Sequence, residues 1–193
     1  MIRIALETDI PAILEIYAPY VRETTVSFEY EVPSLEAFSQ RFSEITGQFP
    51  WLVWEENGQV LGYCYACAPF ARAAYQWCAE PSIYLAPQAK GRGIAQKLYE
   101  ALEVILEKQG YQVLYALVTQ ENLPSLGFHG KMGYEKRMIL PNCGFKQGRW
   151  LGLCWLEKRL KAVESPSQPP VCWLSIVQDG ESLLNFLSSL SLS

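Results

Sequence analysis

The sequence has little charge and no long apolar run. Charged residues make up 19% of its 193 residues, and the formal net charge is −4. This balance argues against a nucleic-acid surface, because phosphate contacts favour basic patches. No apolar run approaches the roughly 18 residues that a membrane-spanning helix needs. An acidic residue at Glu7 comes too early for a secretory signal. We therefore expect a cytoplasmic protein without a membrane partner.

Metal and disulfide chemistry have little support. The chain contains six cysteines and one histidine, and only Cys64 and Cys67 have CxxC spacing. They lie in a strand-like run, where positions three apart face opposite sides of a sheet. No second pair with metal-site spacing accompanies them. We expect reduced, buried thiols and no bound metal.

Hydrophobic residues make up half of the chain, and their periodicity predicts secondary structure. The pattern predicts helices over residues 8–20, 34–45, 93–109 and 122–132. It predicts strands over residues 2–5, 51–55, 59–68, 77–85, 113–118, 134–140 and 150–158, with an Asn57-Gly58 turn between the second and third. Strands interleaved with helices predict an α/β or α+β domain around one mixed sheet.

The composition changes after Leu160. The stretch "AVESPSQPP" is typical of a linker, and Leu183, Leu184, Leu187 and Leu190 then recur at helical spacing. We predict a domain over residues 1–161, with a linker and extension over residues 162–193 that can form a short helix. Truncation after Lys161 is expected to leave a folded protein.

The stretch "YLAPQAKGRGIAQKLYE" joins a strand to a helix through a basic, glycine-bearing turn. Unpaired N–H groups at a helix start form an anion site with the helix dipole, and glycine lets a ligand approach the backbone. The P-loop pattern is absent, and Gln96 replaces the third glycine of the Rossmann pattern. On these residues alone, a phosphate site and a plain turn before a helix stay equally open.

The segment "QAKGRG", Gln88 to Gly93, also matches Q/R-x-x-G-x-G/A. With "ETTVSFEYEVPSLEAF", "RAAYQWCAEPSIYLAP", "NLPSLGFHGKMGY" and "GFKQGRW", it resembles the phosphinothricin N-acetyltransferase-like branch of the GNAT N-acetyltransferases. The resemblance covers about residues 2–159. It implies a mixed, mostly antiparallel sheet flanked by helices, a V-shaped split between the two central strands, and a homodimer.

The resemblance also implies where acetyl-CoA binds. The strand that ends at Leu85 is expected to run beside the pantetheine arm, and the loop from Gln88 to Ala95 is expected to wrap the pyrophosphate. Asn122 either meets the cofactor or only caps its helix. The full predicted set is Ile83, Tyr84, Leu85, Gln88, Lys90, Gly91, Arg92, Gly93, Ile94, Ala95, Asn122 and Ser125.

Two residues are predicted to move protons. His129 is the only histidine, and an imidazole titrates near neutral pH. Glu80 lies on the strand before Ser82 and Tyr84, and alternation puts all three on one face. The resemblance implies that both residues are catalytic; a structural histidine and a solvated edge carboxylate are the alternatives.

The resemblance places Arg72 and Tyr75 beside the acceptor site, with Phe28 and Lys146 as weaker candidates. Arginine grips carboxylates with two bonds, which suits a small amino-acid-like amine such as phosphinothricin or methionine sulfoximine. A protein N-terminus or a polyamine is an alternative acceptor. A non-catalytic acyl-CoA-binding module is another alternative, because Gly127 and Gly130 weaken the helix that carries His129.

Overall fold

The computed structural model describes residues 1–162, 165 and 168–178. Seven strands form one sheet in the order β1-β2-β3-β4-β5-β7-β6. The strands are β1 (Ile2–Ile4), β2 (Trp51–Glu56), β3 (Gln59–Cys67), β4 (Cys78–Leu85), β5 (Val113–Thr119), β6 (Glu135–Lys146) and β7 (Arg149–Arg159). The helices are α1 (Ile10–Arg22), α2 (Leu35–Thr46), α3 (Ile94–Gln109), α4 (Leu123–Lys131) and α5 (Trp173–Gln178).

Helices cover both faces of the sheet. On one face, here called the α3 face, Leu98 and Leu102 pack with Ala79 and Leu114 in the larger apolar core. On the other, the α1/α2 face, Phe38 and Phe42 of α2 close around Trp51. The strands β2, β3 and β4 therefore contribute side chains to both cores, as the alternation of a pleated strand allows.

The two central strands separate soon after they meet. β4 and β5 are parallel and pair only at Cys78↔Val113 and Ala79↔Leu114. All other strand pairs are antiparallel. The structure confirms the predicted fold, a mostly antiparallel mixed sheet with helices on both faces and a split between its central strands.

Local signals fix several boundaries. Ser34 accepts a hydrogen bond from the Ala37 amide and caps α2. Asn57 and Gly58 both have positive φ, at 51° and 75°, which is the left-handed geometry that a two-residue hairpin turn requires. The prediction of a strand end at Leu140 is wrong, because β6 continues to Lys146 through a register shift at residues 141–143. The strand bulges at Pro141 and at Asn142, which has a positive φ, and pairing with β7 resumes at Gly144.

Residues 168–173 of the extension pack against the domain. Trp173 is 7% exposed, and its indole N–H donates to the Thr46 carbonyl at 2.7 Å. The side-chain amide of Gln109 donates to the backbone carbonyl of Val171, and the backbone N–H of Val171 donates to the backbone carbonyl of Gln109. The predicted helix at residues 183–190 lies outside the described residues. The boundary at residue 161 stays a prediction, but residues 168–173 are packed and hydrogen-bonded like part of the domain.

All six cysteines carry free thiols. Cys64 is buried on the α3 face and lies 3.4 Å from the Leu98 carbonyl, whereas Cys67 pairs with Glu80 on the opposite face. Within the part of the chain that the structure describes, no helix has the length and apolar character to cross a membrane. In the same residues, no group of three His, Cys, Asp or Glu side chains is placed to hold a metal ion.

Candidate active site

The split exposes one edge of β4. Ala86 donates to the Leu61 carbonyl, and this register directs the backbone groups of Pro81, Ile83 and Leu85 away from β3 and towards β5. Because β5 pairs only with Cys78 and Ala79, no strand meets these groups. Pro81 has no N–H to leave unpaired there. This edge of β4 can therefore hydrogen-bond an extended ligand as a neighbouring strand would.

A cavity of about 70 Å³ lies where β4 and β5 part. Glu80 lies on the same face of β4 as Ser82 and Tyr84. This is the α1/α2 face, because Ser82 and Tyr84 pair with Tyr65 and Tyr63 of β3, whose side chains belong to the core on that face. His129 and Tyr99 reach the cavity from the α3 face. The gap thus brings together side chains from both sides of the sheet.

Glu80 is a half-buried carboxylate without a counter-ion. Among the described residues, neither of its oxygens takes part in a hydrogen bond or ion pair. Burial raises the pKa of Glu80 above its usual value, because a low-polarity environment disfavours the charged form. A carboxylate of this kind accepts a proton more readily than a solvated one does.

His129 is 4% exposed and held at both ring nitrogens. Its Nδ1 lies 2.8 Å from the Ser125 carbonyl and 3.3 Å from the Ser125 hydroxyl, and its Nε2 lies 3.1 Å from the Tyr99 hydroxyl. Burial lowers the pKa of His129, although the bond to Ser125 opposes this effect. The imidazole is therefore neutral near pH 7 and placed to accept a proton. Gly127 and Gly130 do not loosen it, since these contacts fix the ring.

The turn before α3 fits a phosphate group. Gly91 and Gly93 have φ of 75° and 77°, a region that side chains rarely allow, and an added Cβ at either would meet nothing within 4 Å. Gly93 precedes Ile94 as the N-cap and offers no side chain to cap the helix. The first amides of α3 are thus free for an anion. Beside them lies an open cavity of about 500 Å³, which Ala95 and Gly127 also line.

The cations of this turn are held by nearby groups. The Arg92 guanidinium donates to both Glu56 oxygens, at 2.8 and 2.9 Å. The Lys90 ammonium lies 5.0 Å from the centre of the Tyr20 ring. Gln88 is exposed in the 3₁₀ turn before them. Arg92 is therefore held by Glu56 at the end of β2, between the two glycines of the turn.

Asn122 caps α4, since its Oδ1 accepts from the Ser125 amide at 3.3 Å. This is the capping role that the sequence left open, and the amide nitrogen of Asn122 stays available to a ligand in the split. At the far end of β4, Tyr20 donates to the Leu85 carbonyl at 2.7 Å. Tyr20 thereby occupies the last carbonyl of the open edge, and the Tyr99 hydroxyl lies 3.3 Å from the Pro81 carbonyl at its start. The backbone groups of Ile83 are thus the ones that this edge leaves open to a ligand.

An aromatic cluster lies on the α1/α2 face, the face that carries Glu80. The Phe70 ring packs against Tyr75 at 4.5 Å, Trp155 at 5.9 Å and Tyr115 at 6.0 Å between ring centres. Arg72 immediately precedes the 3₁₀ turn Ala73–Tyr75. It is exposed and has no side-chain hydrogen bond or ion pair within the described residues. Arg72 and Tyr75 are thus brought beside an aromatic wall, with the guanidinium free to bind a ligand.

Phe28 and Lys146 lie at the other side of this face. The Phe28 ring packs directly over Gly144 and leaves no room there for a side chain. Lys146 is 5% exposed, and its ammonium donates to the carbonyls of Val21 and Ser27 at 2.8 and 2.6 Å. These bonds tie β6 to the loop after α1. The substrate-binding role of Lys146 stays a prediction, and its observed contacts are structural.

No pattern in the sequence singled out Tyr99. It follows Leu98 on the inward side of α3, is 0% exposed, and is indistinguishable by periodicity from a core aromatic residue. Its hydroxyl nevertheless lies 3.1 Å from His129 Nε2 and 3.3 Å from the Pro81 carbonyl. A buried tyrosine hydroxyl needs a polar partner, but only the fold shows that the partner is the histidine.

Comparisons with known proteins agree with this geometry. The family model for the acetyltransferase (GNAT) domain matches residues 2–155. The chain is 36% identical over 163 residues to a phosphinothricin N-acetyltransferase from Alcaligenes faecalis, covering 83% of both chains. It is 32% identical over 169 residues to an L-methionine sulfoximine/L-methionine sulfone acetyltransferase from Pseudomonas aeruginosa, covering 85% of this chain and 96% of the relative.

A solved structure has the same fold. The phosphinothricin acetyltransferase from Sinorhizobium meliloti, in complex with acetyl-CoA, superposes with a TM-score of 0.84 at 33% identity. The superposition covers 88% of this chain and 94% of that one. The chain therefore belongs to the GNAT acetyltransferase family, in its phosphinothricin N-acetyltransferase-like branch, and is an acetyl-CoA-dependent N-acetyltransferase.

Proposed function

We propose that this enzyme transfers an acetyl group from acetyl-CoA to the primary amine of a small amino-acid-like acceptor of the phosphinothricin or methionine sulfoximine type. The observation that carries the proposal is the meeting of Glu80 and His129 at the split between β4 and β5. Glu80 is partly buried and His129 is fully buried. Burial raises the pKa of Glu80 and lowers the pKa of His129, and both shifts favour the neutral form of the side chain. They suit direct attack by an amine that must first lose a proton.

Acetyl-CoA supplies the acetyl group as a thioester. We assign its pyrophosphate to the amides of Gly91, Gly93, Ile94 and Ala95, with Gln88, Lys90 and Arg92 around them. We assign its pantetheine arm to the open edge of β4, where Ile83 offers its backbone groups and Tyr84 and Leu85 flank the arm, with Asn122 and Ser125 at the start of α4. The free amides at the α3 terminus and the missing partner strand support this placement.

We assign the acceptor to the α1/α2 face. Arg72 is the free cation there, and it would bind the acceptor carboxylate, while Tyr75 and Phe28 would border the side chain. Glu80, which carries no counter-ion, would draw the ammonium end towards the split and take its proton. A cation at Arg72 suits an amino-acid carboxylate, whereas a polyamine has no group for Arg72 to bind.

A homodimer and a cytoplasmic location stay predictions. The exposed apolar side chains of β6 and β7 would suit a second copy of the chain: Met138, Ile139, Leu140, Phe145 and Trp150. Sedimentation velocity at two protein concentrations tests the dimer.

A thiol-release assay with a panel of amines tests the proposed function. We expect turnover with phosphinothricin, methionine sulfoximine or a related amino acid, and little with polyamines. Turnover confined to a peptide N-terminus would replace the proposed acceptor with a protein. An absence of turnover with every amine, with acetyl-CoA bound, would remove the proposed acceptor class.

A further inference from the structure

The Tyr99 hydroxyl is the only polar group that the described residues place on Nε2 of His129. The two atoms are 3.1 Å apart, and both residues are at least 96% buried. The other neighbours of the ring meet it elsewhere. Phe128 and Tyr134 stand edge-on to it at 5.3 and 5.1 Å between ring centres, and Ser125 contacts Nδ1. Among the described residues, Tyr99 therefore offers the one hydrogen-bonded route for a proton to Nε2.

The tautomer of His129 follows from its partners. A backbone carbonyl only accepts hydrogen bonds, so Nδ1, at 2.8 Å from the Ser125 carbonyl, must carry a hydrogen. In a neutral imidazole, Nε2 then has none and must accept. Tyr99 therefore donates its hydroxyl proton to Nε2.

Protonation of His129 reverses this bond. An imidazolium donates from Nε2 to the Tyr99 oxygen, and the hydroxyl is then free to donate to the Pro81 carbonyl at 3.3 Å. Tyr99 thus has one hydroxyl orientation for each charge state of the histidine. Tyr99 and Pro81 both line the cavity at the split, so this exchange takes place beside the reacting atoms.

We propose that Tyr99 is a catalytic residue that passes protons between the reacting groups and His129. The inference rests on the proposed function. Once Glu80 has taken the first proton of the substrate ammonium, the neutral amine attacks the thioester carbon and an N–C bond forms. The Tyr99 oxygen then takes a second proton from this nitrogen while its own proton moves to Nε2. During departure, Tyr99 gives a proton to the leaving sulfur as the C–S bond breaks and recovers one from Nε2. The amine proton ends on the thiol, and both side chains return to their starting state.

The surroundings require the two transfers at Tyr99 to be coupled. Burial raises the pKa of Tyr99 well above its usual value, and the nearby Cys64, Glu103 and Glu80 act in the same direction. A free tyrosinate is therefore disfavoured, and the oxygen must gain one proton as it loses the other. Of the charged groups nearby, Glu80 faces the cavity from β4, and Glu103 of α3 is paired with Lys158 of β7 at 2.6 Å.

Tyr134 provides a matched control. It is a second buried tyrosine whose ring stands at 90° to the His129 ring, but its hydroxyl has no hydrogen bond to the histidine. Tyr99→Phe and Tyr134→Phe each remove one buried hydroxyl from the same aromatic surroundings and keep the ring. A loss specific to Tyr99→Phe therefore measures the bond to Nε2.

The first arm of the test measures turnover. We expect Tyr99→Phe to lower kcat at least tenfold, within the roughly 10²–10⁴-fold range of one proton-transfer group. Acetyl-CoA binding should stay within about twofold of wild type. The Tyr99→Phe/His129→Ala double variant should be no slower than the slower single variant, because groups that act as one unit are not additive. Tyr134→Phe should keep the wild-type kcat.

The second arm reads the histidine directly. Because the chain has one histidine, ¹⁵N-histidine labelling of a protein without a histidine tag gives one pair of ring signals. At pH 7.5 we expect a protonated Nδ1 and an unprotonated Nε2. The Nε2 signal should shift in Tyr99→Phe and stay in place in Tyr134→Phe. A protonated Nε2 with a bare Nδ1 would overturn the assignment.

The outcomes separate this inference from the proposed function. If the wild type acetylates amino acids and His129→Ala is slow, but Tyr99→Phe has the wild-type kcat, the relay is wrong and the proposed function stands. If the two single losses multiply in the double variant, the residues act independently and the relay is again wrong. If His129→Ala has the wild-type rate, the histidine assignment itself fails.

Discussion

Glu80 and His129 reach the same gap between β4 and β5 from opposite faces of the sheet. A complete sheet would keep these side chains apart, on its two sides. Here the strands separate after Ala79, and the missing ladder opens a passage. The face to which we assign the acceptor and the face that carries α3 are therefore connected at this gap.

Replacing Glu80 by Gln should slow turnover and stabilise the fold. The pKa of Glu80 is raised in the folded state. Below its unfolded pKa, ordinarily about 4.3, the carboxyl group is protonated in both states and does not lower the free energy of unfolding. As the pH rises above that value, the folded protein must hold an unfavourable charge. We expect kcat to fall at least tenfold, and the Tm difference from wild type to grow between about pH 4 and pH 7. Each ~1 kcal/mol shifts the Tm by about 2–4 °C at this size. Equal Tm values at pH 7 would show that Glu80 is not desolvated.

Replacing Gly93 by Asp should abolish acetyl-CoA binding. The substitution places a carboxylate and a Cβ where the pyrophosphate meets the α3 amides. Gly58→Asp is the matched control, since Gly58 has the same φ of 75° in open space on the β2–β3 turn. At a hundredfold excess over its Kd, acetyl-CoA should stabilise wild type and Gly58→Asp by about 2.7 kcal/mol. A normal melting shift in Gly93→Asp would place the cofactor elsewhere.

Replacing Arg72 by Ala should weaken binding of the acceptor alone. A hydrogen bond to a charged group contributes about 1.5–3 kcal/mol, so the KM for an amino-acid acceptor should rise about tenfold or more. The KM for acetyl-CoA should not change. Steady-state kinetics with paired amines that have or lack a carboxylate provide the check. Equal losses for both amines would refute the pairing of Arg72 with a carboxylate.

Removing the extension should destabilise the protein, against the expectation from its composition. Trp173 packs into the larger core, and replacing a buried tryptophan by alanine costs about 3–5 kcal/mol. We therefore expect a lower Tm after truncation at Lys161 and in Trp173→Ala. The exposed Leu174 on the same helix gives a control, since Leu174→Ala should leave the Tm near wild type. A truncated chain with the wild-type Tm would return residues 168–178 to the status of a dispensable tail.

Local signals predicted most of the fold. The serine cap of α2, the Asn57-Gly58 turn and the glycine-bearing start of α3 each follow from backbone chemistry within a few residues. The stretch "SPSQPP" predicted a linker because proline-rich composition reports only that a segment cannot form a regular element. The packing of Val171, which follows it, depends on Gln48 and Gln109, which lie far away in the sequence.

The site was less accessible from the sequence. Glu80 and His129 could be named because their residue types suit proton transfer and because the family resemblance implies that both are catalytic. Tyr99 could not, since a tyrosine among the leucines of a helix is typical of a core. The prediction that Lys146 binds substrate came from the resemblance of "GFKQGRW" to the family, and the fold adds that its ammonium donates to two backbone carbonyls. Long-range contacts of this kind leave no local pattern.

Turnover measured against pH in the wild type and in His129→Ala tests whether neutral His129 accepts a proton during the reaction. The pKa of His129 is lowered from its ordinary value of 6.5, so the imidazole becomes neutral at a pH below 6.5. The wild-type rate should therefore rise with pH in this range and level off near neutrality. Glu80→Gln should keep this rise. His129→Ala should lose it and turn over at least tenfold more slowly, with acetyl-CoA binding retained. A His129→Ala enzyme with the wild-type rate and pH profile, or a wild-type rate that falls across this range, would contradict the account.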